Sequence, residues 1–252
     1  MCQDCGCGDR ELVPVELHEK LLAGNDRTAA HNREHFAEAG VLAINLMGSP
    51  GSGKTALLEA TARHANGKIK LRAFSGDLET DRDGERLRAA GIPARTITTG
   101  SACHLDARQV HHALDDLPIA GADLLFIENV GNLVCPAIYD LGEAANVVAL
   151  SVTEGVDKPL KYPVMFRAAD LVLITKTDLL PYLEEVSVAQ LRDSIARVAP
   201  EAEVIAISAK NGDGMPEWLA WLAKTKAAET AKPVVAHAAH VHPIATAAKA
   251  SV

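Results

Sequence analysis

Aromatic residues are scarce in this sequence: Phe, Trp and Tyr make up 4% of its 252 residues. Hydrophobic residues as a class still reach 48%, so a core of ordinary size must be packed mainly by Leu, Val, Ile and Ala. A chain of this length can form one large α/β domain with short appendages.

Positive charge is also in short supply. Lys and Arg number 25 against 33 Asp and Glu, which gives a formal net charge of −8. Nucleic acids and anionic membranes are bound through an excess of basic residues, so neither is expected as the main partner. A phosphate group would have to be bound by local backbone dipoles, not by a basic surface.

Long apolar runs and a secretory signal are missing as well. No segment approaches the ~18 consecutive apolar residues of a membrane-spanning helix. The first residues do not show a basic segment followed by an apolar one. Of the five cysteines, three lie within the first seven residues, a usage that suits a compartment in which thiols stay reduced. We therefore expect a cytoplasmic protein without a membrane partner.

The most informative stretch that is present is Gly48-Ser49-Pro50-Gly51-Ser52-Gly53-Lys54-Thr55. It follows an apolar run at 41–47 and precedes a helical pattern, which is the context in which G-x-x-x-x-G-K-S/T forms a phosphate-binding P-loop. Glycines allow a tight turn whose N–H groups point at a phosphate, and the helix N-terminus adds positive potential. Because all fixed positions are filled, we prefer a nucleoside triphosphate site to a flexible Gly/Ser turn.

Each part of this loop has an expected role. Lys54 would reach the β- and γ-phosphates, and the Thr55 hydroxyl would ligate Mg²⁺. The nucleotide-binding residues predicted from the loop are Gly48, Gly51, Ser52, Gly53, Lys54 and Thr55.

Two acidic segments are candidates for the hydrolysis site. A predicted strand at 68–74 is followed by four acids between positions 77 and 83. Ligands bind at the carboxyl ends of strands in doubly wound sheets, so Asp77 and Asp83 are candidates to ligate Mg²⁺ or to orient the attacking water. An ordinary acidic helix N-terminus remains the alternative for either residue.

The second acidic segment follows the apolar run 122–127. Glu128 ends this predicted strand and is a candidate Mg²⁺ ligand, directly or through water. Gly131 lies three residues further on, where its N–H could sense the γ-phosphate. The predicted catalytic set is therefore Lys54, Asp77, Asp83 and Glu128.

Two further segments resemble the elements that recognise guanine. Thr175-Lys176-Thr177-Asp178 follows a predicted strand, and Ser208-Ala209-Lys210 follows the next. The Asp178 carboxylate could accept from guanine N1–H and N2–H₂, a donor pair that adenine lacks, and the Lys176 stem would cover the base. Thr175 stands where Asn is usual, which we expect to affect affinity but not the choice of guanine. GTP is therefore favoured over ATP.

Cysteine and histidine form two candidate transition-metal sites. Cys2, Cys5 and Cys7 place three thiols within six residues, a spacing that favours metal binding over a redox pair or a merely reactive tail. Cys103 and His104 adjoin at a loop before a helix, and Cys135 follows the Glu128 segment. Cys and His together suit Ni or Zn.

The remaining histidines carry weaker signals. His31 and His35 lie on a predicted N-terminal helix and are expected to face solvent or to cap. His111 and His112 are expected at the surface or the edge of the core. For His237, His240 and His242, weak metal binding and a chance cluster are equally open alternatives.

The N-terminal Cys-x-x-Cys-Gly-Cys, the P-loop, Cys103-His104 and the segments 128–136 and 175–182 together resemble the HypB family. The match runs from residue 1 to about 225, and without the N-terminal thiols it is similar to the urease nickel GTPase. The resemblance implies a dimeric P-loop GTPase of the SIMIBI type: an α/β fold with a doubly wound, mostly parallel sheet flanked by helices.

The same resemblance implies a function and a set of ligands. The family's function is that of a GTP-hydrolysing nickel metallochaperone that delivers Ni²⁺ to the NiFe-hydrogenase large subunit during maturation. The expected partners are a second copy in a GTP-dependent homodimer, a HypA-type nickel chaperone and the large-subunit precursor. A tight nickel site falls on Cys2, Cys5 and Cys7, and a second site for Ni²⁺ or Zn²⁺, shared across the dimer, falls on Cys103, His104 and Cys135.

The expected organisation has four parts: a metal-binding Cys motif at 1–15, a helical segment at 16–40, a GTPase domain at 41–226 and a disordered tail at 227–252. Two alternatives to the GTPase function remain open. One is an ATP-driven metallochaperone, although Ser49 stands where such proteins carry an extra lysine. The other is a metal-storage or redox protein with a vestigial nucleotide site.

Overall fold

A computed structural model describes residues 15–231 of the chain. Its helices and strands, in chain order, are α1 (Val15–Glu38), β1 (Leu42–Gly48), α2 (Lys54–Ala65), β2 (Leu71–Asp77), α3 (Arg82–Ala89), β3 (Ala94–Thr98), α4 (Ala107–Asp116), β4 (Leu124–Glu128), β5 (Ala145–Ser151), α5 (Lys158–Lys161), α6 (Pro163–Arg167), β6 (Leu171–Thr175), α7 (Val188–Ala196), β7 (Glu203–Ala206) and α8 (Met215–Thr230).

The strands form one seven-stranded sheet in the order β3-β2-β4-β1-β5-β6-β7, and every paired strand is parallel. Helices cover both faces, so strands β1, β4 and β6 are buried along their whole length and have nearly continuous apolar sequences. The predicted doubly wound α/β fold is confirmed, and the sheet is parallel throughout.

Successive residues of β1 pack into different layers of the core. Leu42, Ile44 and Leu46 face a cluster built with α2 and α8, whereas Ala43 packs with residues of α1 and α4. The cluster on α8 centres on Trp218, whose indole N–H donates a hydrogen bond to Thr61 Oγ1 at 2.9 Å. This bond satisfies the polar atom of a fully buried aromatic side chain.

Helix α1 is one continuous helix, and it is joined to the sheet domain by polar contacts. Asn32 is fully buried and donates to the carbonyl oxygens of Ala107 and Leu141 at 2.8 and 3.1 Å. Arg33 pairs with both carboxylate oxygens of Asp140 at 2.8 and 2.9 Å. These contacts hold α1 across α4.

The predicted position of β2, at 68–74, was wrong, because the strand runs from Leu71 to Asp77. Lys68 N–H donates to Ala65 O at 2.9 Å and so completes the turn after α2 instead of entering the sheet. At the other end, Ser75 pairs with Glu128 and Asp77 pairs with Thr98. Pairing with neighbouring strands keeps this polar segment extended, so Asp77 is the last residue of the strand and not part of the following loop.

The last helix continues past residue 226, where the sequence placed the end of the GTPase domain, and ends at Thr230. Within residues 15–231, no helix is both long enough and apolar enough to cross a membrane.

Candidate nucleotide and metal site

The P-loop lies where β1 ends and α2 begins, as its sequence predicts. Three of its glycines have left-handed φ values: 146° at Gly48, 74° at Gly51 and 98° at Gly53. A Cβ on Gly48 would lie 2.4 Å from the carbonyl oxygen of Ala149 and 2.7 Å from Ser52 Oγ. Glycine is therefore required at position 48 both by conformation and by space.

Lys54 is folded back onto this loop. Its Nζ donates to the carbonyl oxygens of Gly48 and Ser49, each at 3.2 Å. Burial lowers the pKa of Lys54, although nearby Glu128 and two further carboxylates oppose that effect. A triphosphate would offer this cation stronger acceptors than two carbonyl oxygens.

Thr55 and Glu128 meet at the base of the loop, where Thr55 Oγ1 donates to Glu128 Oε1 at 2.7 Å. The other oxygen, Oε2, is buried and has no hydrogen-bond partner. Desolvation raises the pKa of Glu128 to about 7, against the opposing effects of Lys54 and Thr55. A buried carboxylate oxygen without a partner, next to a threonine hydroxyl, fits a hard divalent cation such as Mg²⁺.

These residues line a cavity of about 490 Å³. Asp77 and Asp83 form part of its wall together with Gly131 and Lys176, so the structure brings all four predicted catalytic residues to one space. Arg86, which sequence analysis did not single out, also lines the cavity. It is held by Glu59 at 2.9 and 3.0 Å and by Asp83 at 3.3 Å.

Asp77 also stabilises the turn after β2. Its Oδ1 accepts from the backbone N–H groups of Glu79 and Thr80 at 2.9 and 2.7 Å. Desolvation, the largest single influence, raises the pKa of Asp77, but these hydrogen bonds and one from the Thr80 hydroxyl together lower it. One Asp77 oxygen is therefore committed to the turn.

A second cavity, of about 220 Å³, shares Gly53, Ala56 and Lys176 with the first. It is lined by predicted base-binding residues: Thr175, Lys176, Asp178, Ala209 and Lys210. Ser208 lies behind them and donates to Asp178 Oδ1 at 2.6 Å, which orients the carboxylate. Lys210 Nζ is 4.0 Å from Asp178 Oδ2.

Thr175 and Lys176 contact the P-loop from the base side. The Thr175 hydroxyl donates to Ser52 O at 2.6 Å, and Lys176 Nζ donates to Gly51 O at 2.5 Å. The threonine that replaces the usual asparagine is thus 4% exposed and supports the loop through its hydroxyl.

The segment after Glu128 rests directly on the P-loop. A Cβ on Gly131 would lie 2.8 Å from the Pro50 backbone nitrogen, so only glycine fits at this contact. The next residue, Asn132, donates its N–H to Gly48 O at 3.2 Å. Its side-chain oxygen accepts from the N–H of Val134 and Cys135 at 2.8 and 3.4 Å, which positions the cysteine.

Cys103, His104 and Cys135 come together in a single chain. One ligand atom from each of the three residues lies within 4.8 Å of the others, and all three are half-buried. Both cysteines are free thiols. The pKa of Cys135 is raised, first by its hydrogen bond with Cys103 and then by burial, while burial lowers the pKa of His104. A metal ion that binds here would therefore have to displace a proton from Cys135.

Asn129 links this cluster to the nucleotide side. Its Oδ1 accepts from Leu105 N–H, two residues after Cys103, at 3.1 Å, and also from Val130 N–H at 3.0 Å. Its Nδ2 donates to Asn45 Oδ1 in β1 at 3.1 Å. The loop that carries Cys103 and His104 is thereby bonded to the residue that follows Glu128.

Comparison with known proteins agrees with this geometry. Residues 42–206 match the family model described as "CobW/HypB/UreG, nucleotide-binding domain". The hydrogenase maturation factor HypB of Azotobacter vinelandii is 52% identical over 215 residues, which are 84% of this chain and 70% of that protein. The chain belongs to the HypB family.

Other members extend the similarity. HypB of Escherichia coli K12 is 49% identical over 220 residues, 86% of this chain and 74% of that protein. The crystal structure of Helicobacter pylori HypB in complex with nickel has a TM-score of 0.78 at 42% identity, covering 82% of this chain and 97% of that one. A signal recognition particle protein at 14% identity shares the fold alone.

Some residues that the sequence analysis considered as metal ligands lie outside the described part of the chain. These are Cys2, Cys5 and Cys7, together with the C-terminal His237, His240 and His242. The nickel assignment to the N-terminal thiols stays a prediction.

Besides Arg86, two contributors to the site escaped the sequence analysis, Asn129 and Tyr139. Asn129 gave no spacing signal, because its partner Leu105 is distant in the chain and bonds through its backbone. Tyr139 stacks on the His104 ring with centroids 3.9 Å apart and planes 23° apart. Asn129 lies in the segment 128–136 that resembles the HypB family, but no role was predicted for it; Tyr139 lies outside the predicted motifs and follows Cys135 by four positions.

Proposed function

We propose that this protein is a GTP-hydrolysing nickel metallochaperone whose nucleotide state controls its affinity for metal. The observation that carries the proposal is the continuity of one short segment. Between Glu128 and Cys135 the chain contributes a candidate Mg²⁺ ligand, a glycine against the P-loop and a thiol of the metal cluster. A change at the γ-phosphate would therefore be transmitted to the metal ligands over a few residues.

Guanine is the base that the second cavity favours. The Asp178 carboxylate, oriented by Ser208, would accept from the N1–H and N2–H₂ donors of guanine, while adenine offers an acceptor at N1. Buried polar groups that a wrong base leaves unpaired make such sites highly selective. An ATP-driven metallochaperone is therefore the weaker alternative. Such proteins carry an extra lysine early in the P-loop, but this chain has Ser49 there, and the Ser49 hydroxyl donates to Glu154 Oε2 at 2.5 Å.

Hydrolysis would release phosphate from GTP at the larger cavity. Lys54 would leave the Gly48 and Ser49 carbonyls to bind the β- and γ-phosphates. Thr55 and Glu128, with Asp77 or Asp83 from the cavity wall, would hold Mg²⁺, which supplies charge neutralisation of the phosphates when bound. The remaining acid would orient the attacking water. Among the described residues no glutamine lines this cavity and Arg86 is paired with acids, so slow turnover is expected.

Nickel is the cargo in this scheme. GTP would order the Glu128–Gly131 turn and favour a homodimer. It would thereby set the spacing of the ligands Cys103, His104 and Cys135. Hydrolysis of GTP would relax that spacing and release the nickel ion. Zn²⁺ is the alternative occupant, because a Cys/His set suits both metals. The solved Helicobacter pylori relative carries nickel, which supports this choice.

The names of the relatives, which are hydrogenase maturation factors, support a hydrogenase as the destination of the metal. We propose that Ni²⁺ passes through a HypA-type chaperone to the precursor of the NiFe-hydrogenase large subunit. Free Cys103 and Cys135 thiols suit the reducing cytoplasm, where we place this reaction.

The proposal is tested by hydrogenase maturation in cells that carry variants in place of the natural protein. Lys54→Ala removes the phosphate-binding cation, and Cys103→Ala removes a metal ligand. Each variant should strongly lower the nickel content of the hydrogenase and its activity. Exposed Lys68→Ala is the matched control and should have no effect. Full maturation with Lys54→Ala would instead favour a storage or redox protein with a vestigial nucleotide site.

A further inference from the structure

Three histidines from two helices meet at a place that is outside the lining of both nucleotide-site cavities. His31 and His35 are one turn apart on α1, with their Nε2 atoms 3.1 Å from each other. His111 on α4 lies across from them, its ring centroid 5.2 Å from that of His31 and 5.6 Å from that of His35. One ring nitrogen from each residue lies within 4.8 Å of the other two. The sequence predicted solvent-facing or capping roles for His31 and His35, and a place at the surface or the edge of the core for His111.

The buried Asn32 determines which nitrogen of His111 is available. Both Asn32 Nδ2 hydrogens are used, since the amide donates to Ala107 O and Leu141 O. Its Oδ1 must then face His111 Nδ1, 3.1 Å away, and can only accept. Nδ1 therefore carries the proton in the neutral ring, and Nε2 keeps a lone pair. Metal-ligating histidines are oriented in this way by a partner on the other ring nitrogen.

The two helices hold this geometry firmly. Asn25, nearer the start of α1, donates to Asp140 O at 2.8 Å and accepts from Ala107 N–H at 2.9 Å. Arg33, between His31 and His35, pairs with both oxygens of Asp140. Asp106 caps α4 through Gln109 in a capping box. The three imidazoles thus project from a fixed junction, not from mobile loops.

We propose that His31, His35 and His111 form a binding site for a divalent transition-metal ion, separate from the thiol cluster. Ligand nitrogens about 2.0–2.1 Å from a tetrahedral ion are about 3.4 Å apart, so small side-chain rotations suffice to close the observed spacing. Imidazole ligands select Zn²⁺, Ni²⁺, Cu²⁺ or Co²⁺ over Mg²⁺.

The surroundings suit such an ion. His31 is exposed and the other two rings are half-buried, which leaves a fourth coordination position open to water. Glu34 Oε2 is 3.7 Å from His31 Nδ1, close enough to orient that ring or to balance the charge of the ion. This set contains no thiol, so its affinity should be weaker than that of the cysteine cluster.

The test uses the full-length chain with Cys2, Cys5, Cys7, Cys103 and Cys135 replaced by Ser, which silences the thiol sites and leaves every histidine in place. This parent is titrated with ZnCl₂ by isothermal calorimetry. The same titration is run on the parent carrying His111→Ala and on the parent carrying both His31→Gln and His35→Gln. We expect each variant to lose one equivalent of Zn²⁺ or to bind it at least about 10-fold more weakly.

His112→Ala is the matched control, because His112 adjoins His111 but lies outside the three-nitrogen group. It should bind Zn²⁺ as the parent does. Far-UV circular dichroism without metal checks that each variant is folded. The variant with both His31→Gln and His35→Gln leaves the buried contacts of α4 unchanged. Long-range ¹H–¹⁵N spectra of the parent should show three imidazoles shifting together with Zn²⁺. Equal stoichiometry and affinity in the parent and both histidine variants would overturn the proposal, whatever the fate of the nickel cycle proposed above.

Discussion

The side-chain oxygen of Asn129 accepts a hydrogen bond from the backbone N–H of Leu105 at 3.1 Å. Asn129 directly follows Glu128, whose carboxylate bonds to the P-loop threonine, and Leu105 directly follows His104 of the metal cluster. Leu105 is fully buried, so its N–H has no access to water. One amide, which also lines the larger cavity, therefore joins the two halves of the proposed mechanism.

Asn129→Ala tests this link. The change leaves the buried Leu105 N–H and Asn45 Oδ1 without this partner, which should cost about 1–3 kcal/mol of unfolding free energy for each group. Cys103, His104 and Cys135 remain, so nickel should still bind, but its affinity should respond less to the nucleotide. Chemical unfolding and nickel titrations with GDP and with a non-hydrolysable GTP analogue provide the measurements.

Asn146→Ala is the matched control, because Asn146 lies at the far end of the same chain of amides. Its Oδ1 accepts from Asn45 Nδ2 at 2.9 Å, and Asn45 in turn accepts from Asn129. This variant should lower stability while keeping the response of nickel affinity to nucleotide. An undiminished response in Asn129→Ala would show that the amide does not transmit the signal.

Gly131→Ala should impair nucleotide binding. The added Cβ would lie 2.8 Å from the Pro50 backbone, so either the P-loop or the 128–135 segment must move. We expect GTP affinity to fall by about 10-fold or more, the equivalent of a local distortion of ~1.4 kcal/mol. A fluorescent GTP analogue measures the affinity.

Gly24→Ala in α1 is the control, because a Cβ there meets no atom within 4 Å. It should leave GTP binding unchanged and stabilise the helix by about 0.5–1 kcal/mol. Unaltered affinity in Gly131→Ala would contradict the close contact between this segment and the P-loop.

Asp178→Asn should change the preferred base. The amide cannot accept from both guanine donors, but it can donate to the carbonyl that xanthine carries at that position. GTP affinity should fall by about 100-fold through loss of charge-assisted hydrogen bonds, and XTP should become the better ligand. Competition assays with GTP, XTP and ATP measure the change. Ser208→Ala is the control, because it removes only the group that orients the Asp178 carboxylate. It should weaken GTP binding less than Asp178→Asn does and keep the preference for GTP over XTP. Retained selectivity for GTP in Asp178→Asn would contradict the assignment of the base site.

The stability of the nucleotide-free protein should depend on pH through Glu128. Burial raises the pKa of Glu128 from its ordinary 4.5 to about 7. Because its pKa is higher in the folded state than in the unfolded state, Glu128 adds to the unfolding free energy while it is protonated. This contribution is fully present below about pH 4.5 and is lost as the pH rises through 7. Glu128→Gln keeps a neutral side chain at every pH, so from pH 5 to pH 8 the natural protein should lose about 1–3 kcal/mol of unfolding free energy relative to this variant.

Urea unfolding at several pH values measures this difference. Glu201→Gln alters an exposed acid and should follow the pH profile of the natural protein. Parallel profiles for Glu128→Gln and the natural protein would show that Glu128 is not neutralised by burial.

Much of the nucleotide site could be predicted because it is encoded locally. The P-loop has fixed spacing, and the apolar runs before Glu128 and Thr175 are strands that end at the same edge of the sheet. Parallel topology then brings Asp77, Glu128 and Asp178 to one side without any further information. The extent of β2 was missed because backbone pairing with two neighbours, not the apolar pattern, keeps Ser75–Asp77 extended.

The parts that could not be predicted depend on contacts between distant segments. No spacing relates Asn129 to Leu105, or Tyr139 to His104, since each pair meets only after β3 and β4 are placed in the sheet. The group of His31, His35 and His111 forms only because α1 lies across α4. The buried Asn32 side chain fixes that arrangement, but in the sequence Asn32 looks like an ordinary helix residue.

The most direct test of the central claim is the nickel affinity of the site at Cys103, His104 and Cys135 in two nucleotide states. In a chain with Cys2, Cys5 and Cys7 replaced by Ser, Ni²⁺ is titrated in the presence of Mg²⁺ with GDP or with a non-hydrolysable GTP analogue. The account predicts dissociation constants that differ by about 5- to 150-fold, with tighter binding in the GTP state, and an equal reciprocal effect of Ni²⁺ on the affinity for the analogue. Equal nickel affinities in both states would contradict it.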